Sequence, residues 1–464
     1  MTESVEKTWA DKLIFIMLCA AIVWTTLAYG AVHQPIIALF YLTTALIAVL
    51  WAVDGFISGV FRYNKSLLQI PILAISLYGL IQVIPFGSIA ETAGVSGIPR
   101  TISLDPFWTK VSALHFLALF IFFAAFLAFV DSTKRLKAVV WLLTVFGFLY
   151  AFFAILQGVL SPDKIYGIYE RQNASPFGSF VNRHNFAAYM EMIIAVPLGL
   201  LFAGSVQKDR RLLYITAVGL MGVALLLSGS RGGLVALLAQ IFFLVILTTK
   251  TKNSGQFALK IGLSAALVAV IVAGSIFIGG ESSLTRLAET DTSKNFTTDR
   301  THIWSVTLEV IKNNLPFGAG LGAFSVAYTP YDSQSGLDRV EQAHNDYLQV
   351  LADAGIIGLI IGAFFVFLLF RVGLQNIKTE DKFRRGVAAG ALSGCFAILV
   401  HSIFDFVLHT TAISILFLTL VSLVVLCGRK KIEDEETAIA PRKKTRSATI
   451  ASIEEKRKSL HSIE

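Results

Sequence analysis

Long apolar runs separated by short polar stretches recur from Leu13 to Cys427. A helix needs roughly 20 apolar residues to cross about 30 Å of hydrocarbon. About twelve runs approach that length, at 13–32, 35–53, 67–85, 111–130, 138–160, 185–204, 211–228, 232–249, 258–279, 356–375, 385–404 and 411–427. The pattern predicts an all-α polytopic membrane protein. It divides the chain into residues 1–279, with nine helices on short loops; 280–355, a long polar segment; 356–428, the last three helices; and 429–464, a charged tail. The first run has small residues near its end, "LAYGA", as a secretory signal would, but it is long and a second run follows at once, so it reads as a retained helix.

The segment 280–355 is too long and too patterned for a bare linker, and a small structured cap is expected there. "DRTHIWSVTLEVIKNN" carries Ile303, Trp304, Leu308 and Ile311 at helical spacing, with Thr298 or Asp299 available as a cap. "LPFGAGLGAF" then places glycines after a proline, which breaks the helix and lets backbone approach a ligand or another chain. "HNDYLQVLAD" resumes a helical pattern with His344, Leu348 and Leu351 near one face, and Gly355 can end or bend it.

Composition supports the membrane assignment. Of the residues, 55% are hydrophobic and 15% charged, and the mean hydropathy is +0.69. The net charge of +8 invites a nucleic-acid reading, but most of the 39 Lys and Arg fall in the N-terminus, alternate connections such as "DSTKRLK" and "QKDRR", and the C-terminal tail. That asymmetry fits the positive-inside rule with both termini cytoplasmic. The tail is expected to be disordered or to lie on the anionic inner leaflet. Cys19, Cys395 and Cys427 sit in or beside apolar runs without metal-ligand spacing.

Charge near a membrane is costly, so polar residues at the ends of runs are informative. Arg231, in "LLLSGSRGGLVALL", either snorkels to the interface or offers a permanent cation, among small neighbours, to an anionic head group. Arg300 opens the helix "RTHIWSV", where an anion would meet a side-chain cation and a helix N-terminus together. Asn182, Arg183, His184 and Asn185 cluster where the sixth run starts, as a cap or as part of a site. Glu191, about two turns deeper, should face the bundle interior and pair with a basic residue. His344 is the best candidate for proton transfer, with Asn345, Asp346, Tyr347 and Gln349 beside it as orienting groups. "HSIFDFVLH" spaces His401, Asp405 and His409 on roughly one helical face, too spread for one metal ion, and reads as a hydrogen-bonded stripe. No HExxH, Walker loop or GxSxG elbow occurs, and Glu289 and Asp291 are the only weak acidic pair in the outer loops, so no metal and no cofactor is expected.

Together, "FGSFVNRHNFAAYM", "SGSRGGL", "DRTHIWSVTLEVIKNNLPFGAGLGAF", "AHNDYLQVLADAGIIGL" and "HSIFDFVLH" occur in the order seen in the bacterial O-antigen ligase and polymerase superfamily, which the chain resembles over nearly its whole length. "AYGAVHQP", "IQVIPF" and "TISLDPFWT" look like the amino-terminal half of many members. The resemblance implies a GT-C-like membrane glycosyltransferase of the bacterial inner membrane, with a large helical periplasmic loop before the last three helices and a periplasmic site. Its donor would be a glycan on undecaprenyl diphosphate. The acceptor would be a sugar hydroxyl on lipid A-core in a ligase, or another lipid-linked glycan in a polymerase. The family's motif histidine falls on His344 and its arginines on Arg231 and Arg300. These would act as base and as diphosphate ligands in a metal-independent, inverting transfer. Asn345, Tyr347, Asn182, Arg183 and Asn185 would support the site on the acceptor side. Ligation is the first reading, polymerisation the second and a lipid-linked glycan carrier the third, because transporters concentrate polarity at the midplane rather than at one face.

Overall fold

Side-chain caps written in the sequence set where many helices begin. In the computed structural model Thr8, Asp105, Ser132, Asn182, Ser230, Asn345 and Asp381 each accept a backbone N–H from the first turn of the helix that follows. The structure describes residues 7–88, 96–170, 175–249, 255, 258–266, 268–269, 273, 300–332 and 339–428. The chain divides into units Met1–Cys427 and Gly428–Glu464, and only Gly428 of the second is described.

The helices are α1 (Trp9–Leu27), α2 (Gln34–Ser58), α3 (Gln69–Gln82), α4 (Pro106–Phe129), α5 (Thr133–Leu160), α6 (Arg183–Phe202), α7 (Arg211–Leu227), α8 (Arg231–Thr248), α9 (Arg300–Asn314), α10 (Phe324–Tyr328), α11 (Asp346–Asn376), α12 (Lys382–His401) and α13 (Thr411–Leu426). The described residues form no strand, only isolated bridges. Among the described residues, nine helices are long and apolar enough to cross a membrane, and α3 and α13 are shorter apolar helices at two further runs. Of the run 258–279, residues 258–266 are helical and most of the rest lies outside the described residues.

Helix α6 is the central element, buried continuously from Asn185 to Leu200. Its contact with α12 depends on small residues, which let two helix backbones approach closely. A Cβ on Gly199 would stand 2.4 Å from the Gly386 carbonyl oxygen, and one on Gly390 would stand 2.4 Å from that of Ala195.

One end of the bundle is fastened by charge. Arg135 at the start of α5 donates to both carboxylate oxygens of Asp11 in α1, at 2.7 and 2.5 Å. Arg62 reaches Asp11 at 3.2 Å and Asp54 at the end of α2 at 3.0 Å, while the Thr8 hydroxyl donates to Asp54. Both aspartates are fully buried. Removing one partner of such a network strands the other's charge. Asp11→Ala should therefore cost about 3–5 kcal/mol, read as a lowered thermal unfolding midpoint in detergent, and an unchanged midpoint would refute that role for the network.

The glycine-rich segment has a structural use. Gly318, Gly320 and Gly322 all have positive φ, at 77°, 112° and 75°, and the backbone they permit lies against the chain's own helices. Ala319 and Gly320 donate to the Ala352 and Asp353 carbonyls of α11, and Ile356 donates to that of Pro316. Gln82, at the end of α3, donates to the Phe317 and Asp353 carbonyls and accepts from the Leu321 N–H. Among the described residues, the close approach anticipated for a ligand or another chain is an approach to α3, α4 and α11.

Helix α11 carries the chain from the polar segment into its apolar stretch as two helical pieces joined by a kink at Gly355, whose φ of 61° and ψ of −153° suit glycine almost alone. A Cβ there would meet the Pro316 oxygen at 2.1 Å. Gly355→Ala should destabilise the protein by at least about 1–3 kcal/mol and displace the start of α11. A variant of normal thermal midpoint would show that the bend is not required.

Candidate active site

The polar motifs converge at the end of the bundle opposite the ion network. Their meeting point is Asp405, in the turn 402–410 between α12 and α13, with its side chain only 2% exposed. An Arg300 terminal nitrogen stands 3.2 Å from Asp405 Oδ2, His344 Nδ1 stands 3.4 Å from Oδ1, and His184 Nδ1 stands 3.9 Å from Oδ2. Burial alone would raise the Asp405 pKa. The contact with His344 and the charges of His184 and Arg300 outweigh it and hold the carboxyl well below its usual range.

His344 lies just before α11 rather than on its face, with a φ of 50° that is uncommon outside glycine. The neighbouring chain fixes this geometry. The Ala343 carbonyl accepts from Trp304 Nε1 at 3.0 Å, and the Ala343 N–H donates to Gln349 Oε1 at 2.7 Å. Asn345 then caps α11, accepting from the Tyr347 and Leu348 N–H groups while its amide donates to the Ile403 carbonyl. A capping residue is extended, so the helix expected to include His344 starts two residues after it. The His344 ring packs edge-on against Phe406, with centroids 4.8 Å apart. Its Nδ1 faces Asp405 beyond a well-formed hydrogen bond and is a buried atom with no hydrogen-bond partner among the described residues.

The expected stripe of His401, Asp405 and His409 needs correction. Helix α12 ends at His401, and Asp405 and His409 lie in the following turn, so the three do not share a helical face. Each has its own partner. His401 Nδ1 meets Glu191 Oε2 at 3.0 Å, which supplies the basic partner anticipated for Glu191 in the bundle interior. His409 Nδ1 meets Asp346 Oδ1 at 3.1 Å, and Asp346 Oδ2 also accepts from the Ser402 hydroxyl and the Leu408 N–H. Burial opposes protonation of His409, but the hydrogen bond and charge of Asp346 raise its pKa overall. Asn345 and Asp346 therefore grip the turn that carries Asp405.

Arg231 is exposed at the first position of α8 and has no ion-pair partner among the described residues. Its neighbours explain the small residues around it. Gly229 takes a φ of 68°, and Ser230 caps α8 while its hydroxyl lies 2.9 Å from His184 Nδ1. A Cβ on Gly232 would stand 3.0 Å from His401 Nε2. The Arg231 turn thus packs directly on the His184 and His401 side of the site. Arg300 is 38% exposed at its side chain and can share Asp405 with an incoming anion.

The supporting residues separate by role. Asn182 caps α6 through the His184 N–H, and Asn185 donates to the Thr410 hydroxyl at 2.8 Å. Tyr347 donates to the Leu399 carbonyl at 2.7 Å. These bonds, with those of Asn345, hold the α6, α11 and α12–α13 segments together at the site, while Arg183 lies half-buried at the start of α6. Thr298, Asp299, Glu289 and Asp291 lie outside the described residues, and among the described residues no group of three His, Cys, Asp or Glu could hold a metal ion. Sequence reasoning missed the hub role of Asp405, although an aspartate inside "HSIFDFVLH" was the available signal.

No curated protein matches the chain. Residues 216–363, which contain Arg231, Arg300 and His344, match the family model described as O-antigen ligase.

Proposed function

With that match supporting the O-antigen ligase and polymerase superfamily and a role in polysaccharide biosynthesis, we propose that the protein transfers a glycan from undecaprenyl diphosphate to an acceptor sugar hydroxyl at the periplasmic face of the bacterial inner membrane. The observation that carries this reading is the approach of His344 and Arg300 to one buried carboxylate, Asp405.

Breaking a sugar–diphosphate bond releases a multiply charged anion that needs positive charge more than it needs a proton. Arg300 and Arg231 supply fixed cations in a site of reduced dielectric. The acceptor hydroxyl is a weak nucleophile, and its proton passes to Nε2 of His344 as the oxygen bonds to the anomeric carbon. Asp405, facing Nδ1, orients the ring and stabilises the imidazolium that forms. Such catalytic contacts are often long before substrate binds and tighten in the complex, which suits the 3.4 Å separation. The anomeric carbon–oxygen bond breaks on the opposite side, inverting the centre, and the diphosphate leaves on its lipid. The proposed organisation keeps twelve membrane helices, both termini cytoplasmic and residues 280–355 as a periplasmic cap.

Ligation and polymerisation share this chemistry and differ in acceptor. Purified protein incubated with lipid-linked repeat units separates them. A single product that requires added lipid A-core supports ligation, and a ladder without it means polymerisation. Movement of intact lipid across vesicles without any transfer would replace both with a carrier.

A further inference from the structure

Close to this site, but outside every group used above, four aromatic side chains meet. The rings of Tyr29, His33 and Tyr169 form a closed triangle with centroids 5.4, 5.0 and 5.5 Å apart, and Tyr166 lies 5.8 Å from Tyr29. The backbone that presents them is strained. Tyr29, Gly30 and Ala31 have consecutive φ values of 58°, 70° and 53°, and Tyr166 and Gly167 have 57° and 74°. A left-handed conformation is unfavourable for a residue with a Cβ, and simple packing of tyrosines does not require it. The strain is imposed by neighbours. The Tyr166 hydroxyl donates to the Leu27 carbonyl, and its N–H donates to Gln157 Oε1 at 2.8 Å.

Two further observations say what the cluster faces. The phenol oxygens of Tyr29 and Tyr169 have no hydrogen-bond partner among the described residues, and both side chains are part-exposed. The cluster also adjoins the turn that carries Asp405. A Cβ on Gly30 would lie 3.3 Å from the Thr410 methyl, and Thr410 is the residue whose hydroxyl accepts from Asn185. An interfacial belt of tyrosines anchors a protein by rings directed singly at the headgroups, whereas the rings of Tyr29, His33 and Tyr169 pack on one another and stay half-buried.

We propose that Tyr29, His33 and Tyr169 form a platform for an uncharged pyranose ring of the glycan. A pyranose has an apolar C–H face that suits the electron-rich faces of aromatic rings, and hydroxyls at its edge that suit free phenol tips. The platform rests on the glycan-transfer reading and adds a subsite for sugar recognition, separate from the arginines that meet the diphosphate.

The test uses full-length protein in detergent and, as probe, the free oligosaccharide released by mild acid from the host's own lipid-linked glycan, which has neither lipid nor diphosphate. Binding is measured by saturation-transfer NMR, and transfer from the intact lipid-linked glycan is measured in parallel. Tyr29→Asn removes the ring while keeping a side chain that tolerates positive φ, and Tyr169→Leu removes the second ring. Each should weaken oligosaccharide binding about three- to tenfold, and Tyr29→Phe should weaken it less. If Tyr29→Asn does not fold, Tyr169→Leu alone decides the matter. Oligosaccharide affinity unchanged in folded variants, or no saturable binding by the wild type, overturns the platform. Lowered thermal stability with unchanged affinity does so too and assigns the rings to packing within the fold. A wild type that binds oligosaccharide but transfers nothing keeps the platform and removes the transferase reading.

Discussion

Replacing His344 with alanine should lower glycan transfer about 10²- to 10⁴-fold, the usual contribution of a positioned general base. The fold should survive, because Trp304 and Gln349 bind the backbone of Ala343 and Asn345 caps α11 without the imidazole. Added imidazole should restore part of the rate in this variant. Asp405→Asn should also impair transfer, acting through His344, and the double variant should be scarcely slower than His344→Ala alone, because groups that act as a unit are not additive. Wild-type transfer by His344→Ala would remove the base assignment.

Arg231→Ala should reduce kcat/KM for the lipid-linked donor about 10²- to 10³-fold, the range seen when one preorganised charge-stabilising group is removed. Arg231 forms no ion pair among the described residues, so its loss should leave the thermal midpoint near that of the wild type. Arg300→Ala should give a similar kinetic loss but also leave buried Asp405 short of one cation, lowering stability as well. Arg231→Lys should recover only part of the activity, since an ammonium keeps the charge but not the planar two-point grip on phosphate oxygens. Unchanged donor kinetics in both alanine variants would remove the diphosphate role.

Much of the site could be read from residue types. Arg231, Arg300 and His344 stood out because polarity beside long apolar runs is costly, and Glu191 implied a buried basic partner. The identity of that partner was not legible, since His401 lies 210 positions away and only the packing of α6 on α12 brings the two within 3.0 Å. The "HSIFDFVLH" segment misled for a different reason. Its regular spacing fits a helix, but Asn345 and Asp346 bind the Ile403 carbonyl, the Ser402 hydroxyl and the Leu408 N–H, and stabilise a turn there instead. Likewise the glycines of "LPFGAGLGAF" announced close approach without saying to what. Gln82 and the carbonyls of α11 give the answer.

The sequence alone determined that the chain is a helical membrane protein, where most of its helices run, and which polar residues stand at the ends of its apolar runs. Those properties follow from apolar run length, local capping and the cost of charge in lipid, all of which act between near neighbours in the chain. Only the tertiary structure decided that Asp405 is where Arg300, His344 and His184 meet, that Glu191 answers to His401, and that the glycine-rich segment braces α11. Each of these is a contact between distant positions, fixed by which helix faces pack together, and one helix's own periodicity carries no record of its neighbour.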